Sequence, residues 1–219
     1  MIAFDNVTVN VSDTILLKEI RFTVETGEKT IIGGPSGSGK STILLTLMGA
    51  YAPSSGHVLF NGEIITAQNV TSVRKAVAFI AQEPVLGTGS VREGLLLPFT
   101  FKANKHAYPS NEQISEILER LKLPLEILDR DTALVSGGEK QRIAIARALL
   151  AGKDIFIVDE ITSALDETSN RIVLDLFLQP KFTVLAVSHH PQWLERFDKV
   201  ITMEHGTITS VHRNRRNES

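Results

Sequence analysis

Thr30-Ile31-Ile32-Gly33-Gly34-Pro35-Ser36-Gly37-Ser38-Gly39-Lys40-Ser41 carries a β-rich apolar run into a glycine loop, and helical periodicity follows from Lys40 to Met48. Residues 29–49 therefore read as strand, loop, helix. From Gly34 the loop fits the pattern Gly, four residues, Gly-Lys-Ser. In that pattern glycines let consecutive backbone N–H groups curl round phosphate oxygens, the lysine adds a cation for the terminal phosphates, and the hydroxyl suits Mg²⁺. An ordinary Gly/Ser turn seldom meets every position in this strand-to-helix setting.

The rest of the chain agrees with an α/β fold. Ile2, Phe4, Val7, Val9 and then Ile20, Phe22, Val24 suggest strands joined at Ser12-Asp13. His57–Phe60, the Asn61-Gly62 turn and Glu63–Ile65 predict a hairpin, and Ala76–Ala81 a further strand. Residues from about 90 to 150 carry helical signals, among them a capping box of Ser110 and Gln113 before Ile114, Ile117, Leu118 and Leu121. Strand patterns return at Ile155–Val158, Thr183–Val187 and Val200–Met203, with helical stretches near 166–178 and 191–197. The basic segment His212–Arg216 reads as a solvated, partly disordered end.

Composition narrows the function. A net charge of −2 over 219 residues offers no general attraction for nucleic acid. The absence of cysteine removes disulfides and thiolate metal sites. No run approaches the ~18 apolar residues of a membrane span, and the start of the chain lacks the basic-then-apolar pattern of a leader. A membrane role is therefore expected only through a partner.

Four further stretches carry chemistry. Ile155-Phe156-Ile157-Val158-Asp159-Glu160 is an apolar strand delivering two carboxylates to its C-terminal edge; Asp159 suits a magnesium shell and Glu160 can accept a proton from an attacking water. Ser188-His189 ends another apolar strand, where the imidazole can donate to a γ-phosphate; standing alone, such a histidine is usually structural or exposed. Gln82, before Glu83-Pro84, reads equally as a ligand to metal or water and as a turn residue. Val135-Ser136-Gly137-Gly138-Glu139 places adjacent glycines at the start of an amphipathic helix, a second anion site apart from the first.

Taken in order, these motifs resemble the ATP-binding subunits of ABC transporters over nearly the whole chain, about residues 2–210. Gly34–Ser41 resembles the Walker A, Gln82 the Q-loop, Val135–Glu139 the signature, Ile155–Glu160 the Walker B, Ser163–Asp166 the D-loop and His189 the switch histidine. The resemblance implies a P-loop NTPase core of mixed sheet with an antiparallel β subdomain (1–82 and 151–219) and an inserted helical subdomain (83–150). It implies that Gly34, Pro35, Ser36, Gly37, Ser38, Gly39, Lys40, Ser41 and Thr42 hold ATP, with Ser41, Gln82 and Asp159 around Mg²⁺. Glu160 would be the catalytic base, with His189, Lys40 and Gln82 beside it in catalysis. Ser136, Gly137, Gly138 and Glu139 would meet the ATP of a second copy in a head-to-tail dimer. The implied partner is a separate membrane permease, which places the chain on the cytoplasmic face of the inner membrane.

The sequence departs from the family at Val135, where leucine is usual, at Glu139, where glutamine is commoner, and at Val11, which stands where an adenine-stacking aromatic is expected. The last implies a weaker base stack. Gly94–Tyr108, Glu139–Arg142 and Asp159–Glu167 are also similar to a bacterial subgroup associated with iron export. Val85, Phe99 and Phe101 are expected either to receive a permease helix or to be buried in the helical subdomain. The alternative function, a soluble ABC-type ATPase with a non-transport partner, expects a coiled-coil insertion or a second ATPase domain, neither of which fits in 219 residues.

Overall fold

The computed structural model describes residues 1–102, 104 and 107–214, and contact grouping divides it into two compact units. The first holds Met1–Val77, Asp154–Glu160 and the chain from Leu178 onward. The second holds Ala78–Lys153 and Ile161–Phe177.

In the first unit, β1 (Ile2–Val11) and β2 (Thr14–Val24) form a hairpin, extended by β4 (Ser55–Phe60) and β5 (Glu63–Ile64) in the antiparallel order β2-β1-β4-β5. The apolar alternation of β1 changes phase between Phe4 and Val7, and the structure shows why. Asn6, at φ 54°, takes up an extra residue there, and Glu19, at φ 52°, takes up one in β2 between the pairs Val7↔Ile20 and Val9↔Leu17. Both strands thereby keep their apolar side chains on one face. Phe4 stacks on Phe22 with centroids 4.8 Å apart.

A second sheet runs in the order β10 (Thr207–Arg213), β9 (Lys199–Glu204), β3 (Lys29–Gly33), β8 (Thr183–Val187), β7 (Ile155–Asp159). The last four are parallel, and β10 closes the edge antiparallel to β9. The buried runs Ile31-Ile32, Phe156-Ile157-Val158 and Val184–Val187 are apolar throughout, as strands covered on both faces require. Helix α1 (Lys40–Leu47) follows β3 and buries Ile43, Leu44 and Leu47 in a core shared with Ile32, Ile157, Leu185 and Val187.

At the start of β3 lies a buried ion pair. Lys199 Nζ lies 2.7 Å from Glu28 Oε2 and donates to the Thr23 carbonyl at 2.7 Å, and the exposed Arg213 reaches Glu28 Oε1 at 2.9 Å. Of the C-terminal segment expected to be solvated and partly disordered, His212 and Arg213 are exposed as expected but ordered, since both belong to β10, paired with Val200 and Lys199. Residues 215 and 216 of that segment lie outside the described residues.

Helix α2 (Val70–Ala76) has no counterpart among the expected elements. Val70, Thr71 and Val73 are β-branched, poor helix formers, and the one start signal, Asn69 at the N-cap, turns its Oδ1 back to the Thr66 N–H rather than capping the helix. It runs directly into β6 (Val77–Ile80).

The second unit is built mainly from helices: α3 (Val91–Thr100), α4 (Asn111–Arg120), α5 (Gly137–Leu150) and α6 (Glu167–Phe177). Capping boxes open α3 (Ser90 with Glu93), α4 (Ser110 with Gln113) and α5 (Ser136 with Glu139). Each satisfies backbone N–H groups that a helix start leaves unpaired. Phe99 of α3 is 1% exposed and meets Tyr108 edge-on, which resolves its alternative readings in favour of burial. Two short 3-10 turns, Leu125–Asp129 and Thr132–Leu134, bring the chain to α5.

Replacing Lys199 by Met should leave the 3%-exposed Glu28 without its buried cation. The expected loss is about 3 kcal/mol of unfolding free energy, measured by urea titration.

Candidate nucleotide site

The parallel register assembles the first unit's site. Val187, the last residue of β8, stands opposite both Ile32 of β3 and Asp159 of β7. The three strands therefore release their chains side by side, at the carboxyl edge where open α/β sheets bind ligands. From β3 emerges Gly34–Gly39, from β7 Asp159-Glu160, and from β8 Ser188-His189.

Backbone geometry dictates the loop's glycines. Gly34 has φ 139° and a Cβ there would stand 2.2 Å from the Met203 carbonyl oxygen, while Gly37, at φ 78°, faces open space. The Ser38 hydroxyl is buried without a hydrogen-bond partner. Lys40 is buried, and its Nζ donates to the carbonyls of Gly34 and Pro35, both at 2.9 Å, closing the loop over the first turn of α1. Thr42 follows half-buried in that turn.

Ser41 Oγ donates to Asp159 Oδ1 at 2.9 Å. Burial is the largest influence on the Asp159 carboxyl and raises its pKa, outweighing the Ser41 hydrogen bond; Glu160 raises it further and Lys40 pulls it down. A hydroxyl beside a half-buried carboxylate held at a cost is a hard-oxygen donor set that suits Mg²⁺. The glycine-rich loop at the start of α1, the orphan Ser38 hydroxyl and the Lys40 ammonium fit a polyphosphate.

Glu160 adopts φ 43°, left-handed backbone that costs a non-glycine residue about 1–2 kcal/mol. Its N–H donates to the Val187 carbonyl at 2.9 Å, which pins the turn, and its carboxylate lies 3.6 Å from Lys40 Nζ. His189 is exposed immediately after the buried Ser188, whose hydroxyl accepts the His190 N–H at 3.1 Å.

Gln82 and Ser136–Glu139 belong to the second unit. Gln82 is exposed, beyond the end of β6 at Ile80 rather than closing a strand that reaches Ala81. The adjacent glycines form no left-handed turn: Ser136 is the N-cap and Gly137 and Gly138 are the first helical residues of α5. At Gly138 the small size answers to close approach instead. A Cβ at Gly138 would lie 2.9 Å from the Ala164 carbonyl, whereas Gly137 faces open space.

The Glu139 carboxylate accepts the Ser136 N–H at 2.7 Å and lies 3.0 Å from Arg130 Nη1. Chiefly that backbone bond, with Arg130 behind it, holds its carboxyl below the ordinary range. Arg130, which also donates to the Leu134 carbonyl, was not marked by any motif. Elsewhere in this unit Val85, 80% exposed, lines a depression of about 530 Å³ with Pro84, Leu86 and Thr132. Phe101 is 60% exposed, and Val11 in the first unit is exposed at the tip of the β1–β2 hairpin.

This fold and site define a phosphate-loop nucleotide-binding ATPase. The ABC transporter family profile matches residues 17–163. The chain is 35% identical to the probable iron export ATP-binding protein FetA of Escherichia coli K12, over 93% of this chain and 91% of that protein. It is also 35% identical to the mycobactin import ATP-binding/permease protein IrtB of Mycolicibacterium thermoresistibile, of which it spans 37%. Among solved structures it superposes on the dimeric ATP-binding cassette MJ0796 bound to ADP and Pi, with TM-score 0.85, 25% identity and coverage of 98% and 99%. It superposes equally, at TM-score 0.85 and 27% identity, on an ATP-bound bacterial Atm1-family ABC exporter, covering 97% of this chain and 38% of that one. The chain belongs to the ABC transporter family, as an ATP-binding, ATP-hydrolysing subunit.

A raised carboxyl pKa in the fold means that the folded chain binds the Asp159 proton more tightly than the unfolded chain. The associated stability is complete below the ordinary value of 3.8 and is lost as pH rises through the folded value. Asp159→Asn should therefore melt higher than wild type without nucleotide at about pH 7, with the gap closing towards about pH 4 in thermal melts.

Proposed function

We propose that this chain powers a separate membrane permease by ATP-driven, head-to-tail pairing of two copies, and that the solute is a metal species, iron first, moved outward. The near full-length correspondence with FetA favours the export reading over relatives that this chain only partly spans. The carrying observation for the chemistry is the placing of Lys40, Ser41, Asp159 and Glu160 at one sheet edge.

In this reading Gly34–Thr42 wraps the phosphates, and Lys40 holds the terminal ones. Ser41, Asp159 and Gln82 hold Mg²⁺, which when bound offsets charge on the phosphoryl oxygens. Glu160, turned off the line of β7 by its left-handed backbone, takes the proton of the attacking water. His189 donates a hydrogen bond to the γ-phosphate, whose charge grows on the way to the transition state. Ser136, Gly137 and Gly138 present the open start of α5 to the nucleotide of the second copy. Glu139 contributes by fixing that start through its cap.

Residues 1–82 with 151–219 serve as the nucleotide-binding core and 83–150 as the arm carrying the signature. The permease contact falls on the depression around Val85, with Phe101 a further exposed apolar group of the arm. No helix among the described residues is long and apolar enough to cross a membrane, so attachment to the cytoplasmic face of the inner membrane comes through that contact.

Glu160→Gln should lower the hydrolysis rate about 10²–10⁴-fold while letting ATP trap a dimer, read by steady-state phosphate release and light scattering. Wild-type turnover in that variant would sink the assignment of the base. Copurification from membranes with a multi-span permease, lost in Val85→Glu, tests the coupling; repeated recovery with nucleic acid alone would overturn it.

A further inference from the structure

The segment from Ala81 to Val85 has no helix or strand of its own, and Pro84 supplies no N–H. Its carbonyls are met instead by two side chains of α5. Gln141 is fully buried, and its Nε2 donates to the Ala81 carbonyl at 3.3 Å and to the Gln82 carbonyl. Six residues further along the helix, Arg147 Nη1 donates to the Val85 carbonyl at 3.1 Å and to the Gly94 carbonyl of α3 at 3.4 Å. Both ends of the Gln82 loop are thus held by the helix whose first turn is Gly137-Gly138.

Packing alone does not explain Gln141. Its Oε1 is buried without a partner, while Ile143, Ala144 and Ile145 on the same helix are apolar and buried. An apolar residue of equal length would spare the chain an unpaired acceptor. What it would lose is the N–H group aimed at the loop. Arg147 likewise commits a half-buried cation to backbone oxygens, its Nη1 alone reaching two carbonyls.

We propose that Gln141 and Arg147 are positioning residues that tether the Ala81–Val85 loop to α5, so that the Gln82 carbonyl, the exposed Val85 and the Ser136-Gly137-Gly138 start move as one body. The tether holds the loop by its main chain and leaves the exposed Gln82 side chain free to engage the nucleotide site. A displacement of Val85 by a permease is thereby transmitted to the surface offered to the second copy's ATP. The inference rests on the ATPase and permease roles proposed above.

The test uses the full chain with Gln141→Met, which keeps length and removes the donor, together with Arg147→Met and the conservative Arg147→Lys. Hydrogen exchange without nucleotide reads the tether directly. The amides of residues 82–86 other than Pro84 should exchange at least tenfold faster in either Met variant, while those of α4 stay within twofold. In steady-state hydrolysis Gln141→Met should lower kcat about tenfold with KM for ATP within twofold, and Arg147→Lys should recover at least half of what Arg147→Met loses. Unchanged exchange in the loop, or a kcat equal to wild type in Gln141→Met, overturns the tether. A wild-type chain that fails to hydrolyse ATP, while its loop exchange responds to the variants as stated, overturns the ATPase reading and leaves the tether standing.

Discussion

The parallel register of β3, β7 and β8 is the constraint on which the first unit's site depends. Because Val187 faces both Ile32 and Asp159, the phosphate loop, the two carboxylates and the histidine leave the sheet from one edge. The strands that make this register are apolar and covered on both faces, so leaving the sheet would expose Val and Ile to water. The strain at Glu160 is tolerable for the same reason: its N–H is anchored to the neighbouring strand at Val187.

Electrostatics divides this unit into two ends. At the amino end of β3, opposite charges neutralise one another in Lys199, Glu28 and Arg213, and the result is stability. At the carboxyl end, Lys40 lies near Glu160 at 3.6 Å and Asp159 is left with a burial cost that the Ser41 hydroxyl and Lys40 offset only in part. The first arrangement is complete within the chain. The second acquires its full set of partners with ligand, as expected of a site whose charge is kept for function.

Much of this was legible beforehand because each feature leaves a local mark. A glycine loop between strand and helix, an apolar run ending in two acids, and a Ser with a Gln three residues on are all short-range patterns, and β3, α1, β7 and α4 stand where they predict. Tertiary choices were less legible. Phe99 and Phe101 differ by two positions, yet one is core and the other exposed, and only the exit of the chain from α3 separates them. Arg213 reads as part of a basic tail because its partner Glu28 is remote in sequence. Gln141 and Arg147 act on backbone carbonyls, which every residue has, so no residue type on the receiving side could have announced them.

The paired irregularities of the β1–β2 hairpin bear on how this domain can change in length. The extra residue at Asn6 is cancelled by the one at Glu19, and a Cβ at Gly56 of β4 would lie 2.1 Å from the Asn6 carbonyl oxygen. Deleting either bulge residue would bring the apolar positions that flank it into ordinary alternation, so each strand would keep its buried face and the pairs beyond the bulge would hold. Single-residue deletions in this hairpin should therefore be borne at Asn6 or Glu19, whereas a deletion at a paired position would turn the rest of its strand inside out, and Gly56, at φ 73° and against the Asn6 carbonyl, is held to glycine for as long as that bulge remains.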